Sequence, residues 1–345
     1  TFIICFDNEQ WYWRPVFLPA FALGIGAMYY LLKNPSAVSI QWHIAIASAI
    51  LFTCAMACHG ELVRRKPAPR YLTSFYLFVA GGGALGGVCV AIIAPMLFSG
   101  YFELHAGLIA AVLLVCVALL EDPRIGQRLS WKWWMGAAAL GALIVSLAGV
   151  AFGRMVLYPD YGAIYRHRNF YGVLELRLNG LSLETQNLRR TLLHDGIIDG
   201  SQYQSAPRRL KPMSYYGKES GAGIAMRNFR EDKPKHVGVL GLGVGTMAAY
   251  GEEGDRYRFY EINPEVARLA RTEFTYLEDS PAECRIVLGD ARLSLEQEES
   301  QQFDVLVMDV FRGDAVPVHL LTKEAFDLYL RHLKQDGVLL VNISN

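Results

Sequence analysis

The chain has 345 residues, 33 Lys and Arg against 33 Asp and Glu, 52% hydrophobic residues and a mean hydropathy of +0.21. The charge is unevenly spread: residues 1–153 hold 9 basic and 6 acidic side chains, and residues 154–345 hold 24 and 27. This excludes a single globular domain, a disordered chain and a disulfide-stapled secreted module, and leaves a membrane part followed by a water-soluble part. With no basic half or tail to neutralise phosphates, nucleic acid is not expected as a partner.

Within 1–153, five apolar stretches follow one another at about 16–32, 40–58, 72–98, 104–120 and 133–152. Each is close to the roughly 20 residues that a helix needs to cross a bilayer core. Tyr101, Trp131, Trp133 and Trp134 stand near the edges, where amphipathic rings settle. Gly81, Gly82, Gly83, Gly86 and Gly87 predict close approach of a neighbouring helix backbone. Cys5, Cys54, Cys58, Cys89 and Cys116 are unevenly spaced and Cys284 stands alone, so no disulfide framework is predicted. Cys54, Cys58, His59 and Glu61 are ligand types near one membrane edge, but no second ligand pair accompanies them. They read as buried small hydrophobes and edge polar groups, and no metal is expected.

Arg64, Arg65, Lys66 and Arg70 mark one loop as cytoplasmic, and Arg124, Arg128 and Lys132 another. Five full crossings then carry the second part to the far side, whereas a cytosolic nucleotide as ligand places it in the cytosol. The chemistry is given the greater weight. With Thr1 first and Asn345 directly after a strand-like run, the chain reads as a fragment.

Residues 154–230 are expected to form a linker and a small β subdomain. Strand-like runs at 170–178 and 192–198 are punctuated by Gly172, Gly180, Gly196 and Gly200. In 231–345, strands at 236–242, 256–262, 284–288, 303–310 and 338–343 alternate with helices, one of them opened by Asn263-Pro264. The fold class predicted is an α-helical multi-span membrane segment, 1–153, followed by an α/β, Rossmann-like doubly wound parallel sheet that stops after its fifth strand.

Such sheets bind ligands at the carboxyl ends of their strands. There the turn Gly241-Leu242-Gly243-Val244-Gly245-Thr246 lets backbone pass close to a ligand, and Glu261 ends the next strand, 20 residues after Gly241, where a carboxylate can accept both hydroxyls of a ribose. The spacing is G-x-G-x-G-T, with no glycine three residues after Gly243 to support a pyrophosphate, so a single adenosine unit fits better than a dinucleotide. Asp290 ends the third strand, placed for an adenine amino group or equally for an N-cap. Asp309 terminates an apolar run, where a bare carboxylate needs a reason. Asp314 follows five residues later, in a segment where turn chemistry is an even alternative, and Arg312 between them can pair with either.

At these residues the second part resembles the spermidine synthase family, the polyamine aminopropyltransferases. More closely, the chain resembles bacterial membrane proteins with a fused spermidine-synthase-like domain. Cys58-His59-Gly60-Glu61-Leu62 with Pro67-Ala68-Pro69-Arg70 is similar to that group's membrane half, and residues 309–322, with His319-Leu320-Leu321-Thr322, to its catalytic loop. The resemblance implies that Gly241, Gly243, Gly245, Glu261, Asp290 and Ala291 hold decarboxylated S-adenosylmethionine, or S-adenosylmethionine, and that Asp309 is the catalytic base. It implies a polyamine or other amine as substrate, with His194, Asp195, Tyr215 and Tyr216 at the amine site. It further implies residence in a bacterial plasma membrane with lipid as surroundings and the catalytic domain cytosolic; dimerisation is common in the family. The chain departs from soluble synthases at Val244, where they carry an aspartate, in the spacing of the two loop aspartates, and in lacking their acidic segment, here 207–223. Relatives also add two strands to the sheet.

The mechanism expected is removal of an ammonium proton by Asp309 while Asp314 holds the remote ammonium. Two other readings share the same motifs: an S-adenosylmethionine-dependent methyltransferase, and a membrane transporter or sensor with a nucleoside- or polyamine-binding domain. Paired intramembrane charges would favour the last.

Overall fold

The computed structural model describes residues 1–34, 37–122, 131–157, 162–180, 187–229, 233–310 and 317–342, with residues 131–134, 137 and 155–157 described by backbone alone. The chain divides into two compact units, Thr1–Asp160 and Tyr161–Asn345. Arg124, Arg128, Arg312 and Asp314 lie outside the described residues.

In the first unit four helices, Arg14–Lys33, Ile40–Val63, Pro69–Leu97 and Glu103–Leu120, are long and apolar enough to cross a membrane. A shorter apolar run, Ala138–Arg154, lies within a fifth helix, Trp131–Leu157. Large apolar side chains face outward, Phe78 being 81% exposed, as suits surroundings in which every backbone group is satisfied inside its own helix. A π turn over Cys89–Ile93 precedes Pro95, which has no N–H to continue the regular ladder.

The glycines of the Pro69–Leu97 helix do not receive a neighbouring backbone, contrary to the expectation from their spacing. Among the described residues, a Cβ at Gly81, Gly82, Gly83, Gly86 or Gly87 would meet nothing within 4 Å. The helix is instead contacted through rings near its start, Phe75 and Tyr76 against Phe6. Close approach occurs at Gly60, where a Cβ would fall 2.1 Å from the Tyr12 ring. Tyr12 thereby reaches Glu61, donating its hydroxyl at 2.8 Å. Arg14 donates to both Glu61 oxygens at 2.7 Å and to Asp122 at 2.5 Å, and Arg65 reaches Glu61 at 3.2 Å. Paired charges therefore do occur in this unit, gathered at helix ends rather than at mid-span.

The second unit begins with an antiparallel meander: β1 (Ala163–Asn169), β2 (Gly172–Asn179), β3 (Arg189–His194) and β4 (Ile197–Tyr203). The run 192–198, expected as one strand, is a hairpin. Asp195 and Gly196 adopt φ of 51° and 86°, the left-handed pair that a two-residue hairpin turn requires, so the chain reverses inside a run whose flanks are both apolar. After the helix Gly221–Asn228 comes the parallel sheet, with β5 (His236–Leu240), β6 (Arg256–Glu261), β7 (Glu283–Leu288), β8 (Phe303–Met308) and β9 (Leu333–Val341) in the order β7-β6-β5-β8-β9.

One face packs Val237, Val239, Phe259, Ala267 and Ala270, and the other Leu240, Leu295, Leu306, Leu328 and Tyr329. Helices therefore cover both faces, as near-continuous apolar parallel strands require. The antiparallel sheet docks through Leu174, Leu176 and Leu192 onto Val244, Val266 and Phe274. That packing brings β4 against the glycine turn.

Candidate active site

The strand order reverses between β5 and β8, which is where open parallel sheets leave a crevice. Register places Leu240 beside both Tyr260 and Met308, so Gly241, Glu261 and Asp309 leave the sheet together. Gly241 has a φ of +91°, and a Cβ there would lie 2.0 Å from the Asp309 carbonyl; only glycine allows both. Gly243, at φ +52°, has the Asp199 carbonyl 2.9 Å from the same virtual position. Val244 is buried against Gly200, where a Cβ would meet it at 2.5 Å. The glycines thus admit the ends of β8 and β4 to the turn.

Glu261 is 8% exposed. Its carboxylate accepts the Leu242 N–H at 3.1 Å and the Asn263 N–H at 2.7 Å, which leaves acceptor capacity on each oxygen. Burial pushes its carboxyl up to about 7, against the backbone donors that pull it down. Ile262, directly after it, leaves an apolar side chain 43% exposed. Asp290 caps the helix Ala291–Gln297, accepting the Leu293 N–H at 3.0 Å, and its other oxygen meets His319 Nε2 at 2.9 Å. Ala291 is buried.

Asp309 lies between two donors. Its Oδ1 accepts from Asn342 Nδ2 at 2.8 Å, and its Oδ2 accepts from the Tyr216 hydroxyl. Burial raises its carboxyl, opposed by hydrogen bonds from Asn342, Tyr216 and Tyr215. Tyr216 is buried, packs on Tyr215 with ring centroids 4.8 Å apart, and accepts the Tyr250 hydroxyl at its carbonyl at 2.6 Å. Burial, then the Asp309 charge, lifts both tyrosines well above their usual range.

The structure brings together Gly241, Gly243, Glu261, Tyr215, Tyr216 and Asp309. Asp195 is placed otherwise: it forms the β3–β4 turn and accepts the Val173 N–H at 2.9 Å, because the hairpin directs its carboxylate back to β2. His194 Nε2 donates to the Tyr171 carbonyl at 2.7 Å. Two site residues escaped the sequence reading. Asn342 directly follows β9 and reaches Asp309, and Asp199 on β4 lies at the glycine turn. Each is a polar side chain at or near the end of an apolar run, the same signal that singled out Asp309.

A Rossmann-like parallel sheet with a glycine turn after one strand and a carboxylate after the next is the methyltransferase-type fold, here joined to a small antiparallel sheet. No family model matches the chain. Among known proteins, a polyamine aminopropyltransferase of Vibrio vulnificus is 30% identical over 115 residues, 32% of this chain and 38% of the relative. An N-terminal histidine N-methyltransferase of Emericella nidulans is 34% identical over 118 residues, 33% of this chain and 20% of the relative. A solved structure of a probable spermidine synthase from Corynebacterium glutamicum shares 22% identity, covering 54% of this chain and 64% of that one at a TM-score of 0.43. The chain therefore spans well under half the length of the curated relatives it matches. Over the matched part it is similar to the spermidine-synthase-like family.

Proposed function

We propose that the second unit is an aminopropyltransferase that moves an aminopropyl group from decarboxylated S-adenosylmethionine to an amine such as putrescine, with Asp309 as the base. The observation that carries this reading is the half-buried Asp309 carboxylate, held between Asn342 and Tyr216 beside the Gly241 turn. The donor supplies an activated methylene whose bond to sulfur breaks, the electron pair leaving with sulfur as methylthioadenosine. For the acceptor, a primary ammonium of pKa about 10.4 must lose a proton, at a cost of roughly 4 to 5 kcal/mol at pH 7. Asp309 Oδ2 takes that proton, and the buried Tyr216, through its hydroxyl, fixes the direction of the carboxylate. Glu261, with its spare acceptor capacity and the apolar Ile262 beside it, suits a ribose and a base. Gly245, Asp290 and Ala291 complete the adenosine side of this reading, and Asp314 supplies the second carboxylate for the remote ammonium.

The second reading is methyl transfer, favoured by the likeness to the histidine N-methyltransferase. In both readings the first unit holds the protein in a bacterial plasma membrane with the second in the cytosol. Incubation with each donor plus putrescine decides: methylthioadenosine release supports aminopropyl transfer, S-adenosylhomocysteine release supports methyl transfer, and no release with either sinks both.

A further inference from the structure

Asp199 has no assigned task, yet its position is demanding. It stands on β4 immediately before Gly200, the residue on which Val244 of the glycine turn packs. Its Oδ1 is 3.9 Å from where a Gly243 Cβ would be, so the carboxylate lies over the turn rather than away from it. Among the described residues no hydrogen bond or ion pair engages this carboxylate. Its charge acts on Glu261, Tyr215 and Tyr216, and it is itself acted on by Asp309. Burial raises its carboxyl to about 6, His194 pulling it down and Asp309 pushing it up. Asp199 lies over Gly243, Glu261 accepts the Leu242 N–H, and Asp309 leaves the sheet where Gly241 does, so three carboxylate residues border the one glycine turn.

A crevice of that charge discriminates between sulfonium donors by their tails. Intact S-adenosylmethionine ends in an ammonium and a carboxylate, whereas its decarboxylated form ends in an ammonium alone and carries one more net positive charge. A like charge brought against a partly buried carboxylate is penalised, and rejection of the wrong partner is as effective a source of specificity as attraction of the right one. We infer that Asp199 selects the donor, excluding an adenosyl sulfonium that carries a carboxylate and holding one whose tail is a bare ammonium. The turn itself presents the apolar Val244 here, so the charge comes to it from the neighbouring sheet. This inference rests on the aminopropyl reading above.

The test uses the full chain purified in detergent, with calorimetric dissociation constants for methylthioadenosine, decarboxylated S-adenosylmethionine and S-adenosylmethionine, in wild type, Asp199→Asn and Asp199→Glu. Methylthioadenosine lacks the charged tail and reports on the nucleoside pocket alone. Asp199→Asn is expected to lower the preference for the decarboxylated donor by about tenfold or more, equivalent to about 1.4 kcal/mol. Asp199→Glu is expected to keep it within about threefold, and methylthioadenosine affinity to stay level in all three proteins. An unchanged preference in Asp199→Asn, or loss of methylthioadenosine binding in that variant, overturns the inference while leaving the aminopropyl reading in place. Wild type that binds methylthioadenosine but prefers the intact donor overturns both.

Discussion

Asp309 and Tyr216, 93 residues apart in the chain, share a hydrogen bond at the carboxyl end of β8. Neither side chain is placed by its own element alone. Tyr216 is held by burial and by the Tyr250 hydroxyl on its carbonyl, and Asp309 by Asn342 on its other oxygen. The pair is therefore rigid on both sides, which a proton acceptor needs if it is to be in place before substrate arrives.

Asp309→Asn keeps the shape and removes the proton acceptor. Turnover is expected to fall about 10²- to 10⁴-fold, with methylthioadenosine affinity nearly unchanged and thermal stability at or above that of wild type. Steady-state kinetics with calorimetry check this, and retention of most of the turnover would remove Asp309 from the role of base.

Tyr216→Phe acts through Asp309. The lost hydrogen bond is one that lowers the Asp309 carboxyl, so its removal raises that pKa. The acid limb of the kcat/KM profile is expected to move to higher pH, with activity at neutral pH falling about tenfold. A profile that stays in place would show that the hydroxyl does not tune the carboxylate.

Glu261 makes stability depend on pH. Its carboxyl is raised on folding from 4.5 to about 7, so the folded state holds a proton that the unfolded state releases. Stability attributable to this group is full below about pH 4.5 and is lost as pH rises towards 7, by an amount on the order of 3 kcal/mol. Chemical denaturation between pH 4.5 and 8 is expected to show that slope in wild type and a shallower one in Glu261→Gln, where the raised carboxyls of Asp199 and Asp309 remain.

Gly241→Ala places a methyl group 2.0 Å from the Asp309 carbonyl at a left-handed φ. Backbone strain of about 1–3 kcal/mol is expected, with displacement of Asp309 and loss of turnover beyond what the stability change explains. Denaturation curves and kinetics on the same preparation measure the two effects.

In the first unit, Glu61→Ala leaves Arg14 and Arg65 without their shared carboxylate. Removing one partner of such a buried network typically costs about 3–5 kcal/mol, and the melting temperature in detergent is expected to drop accordingly. Arg14→Ala is expected to have a similar effect, and the double variant less than the sum.

Much of this architecture is written locally. Hydropathy alone marks the apolar helices, because a helix satisfies its own backbone and only its length and composition must suit a bilayer. The period of the apolar runs marks the parallel strands, and Gly241, Glu261 and Asp309 are legible because each stands at a strand end where its residue type is unusual. Periodicity reads 192–198 as one strand, since the Asp195-Gly196 turn lies between two apolar flanks. It also assigned the Gly81–Gly87 face to helix packing that does not occur there among the described residues.

What the sequence by itself determined is a run of helices long and apolar enough to cross a membrane, a parallel sheet and the strand ends that carry carboxylates, all properties of composition and short-range period. Which side chains stand around Asp309 was decided by tertiary structure. Tyr216, Asn342 and Asp199 come from a 3₁₀ turn, from the end of β9 and from an antiparallel strand. They converge because the hairpin register, the docking of one sheet on the glycine turn and the burial of Val244 and Tyr216 fix them together, and none of those distances is encoded in local spacing.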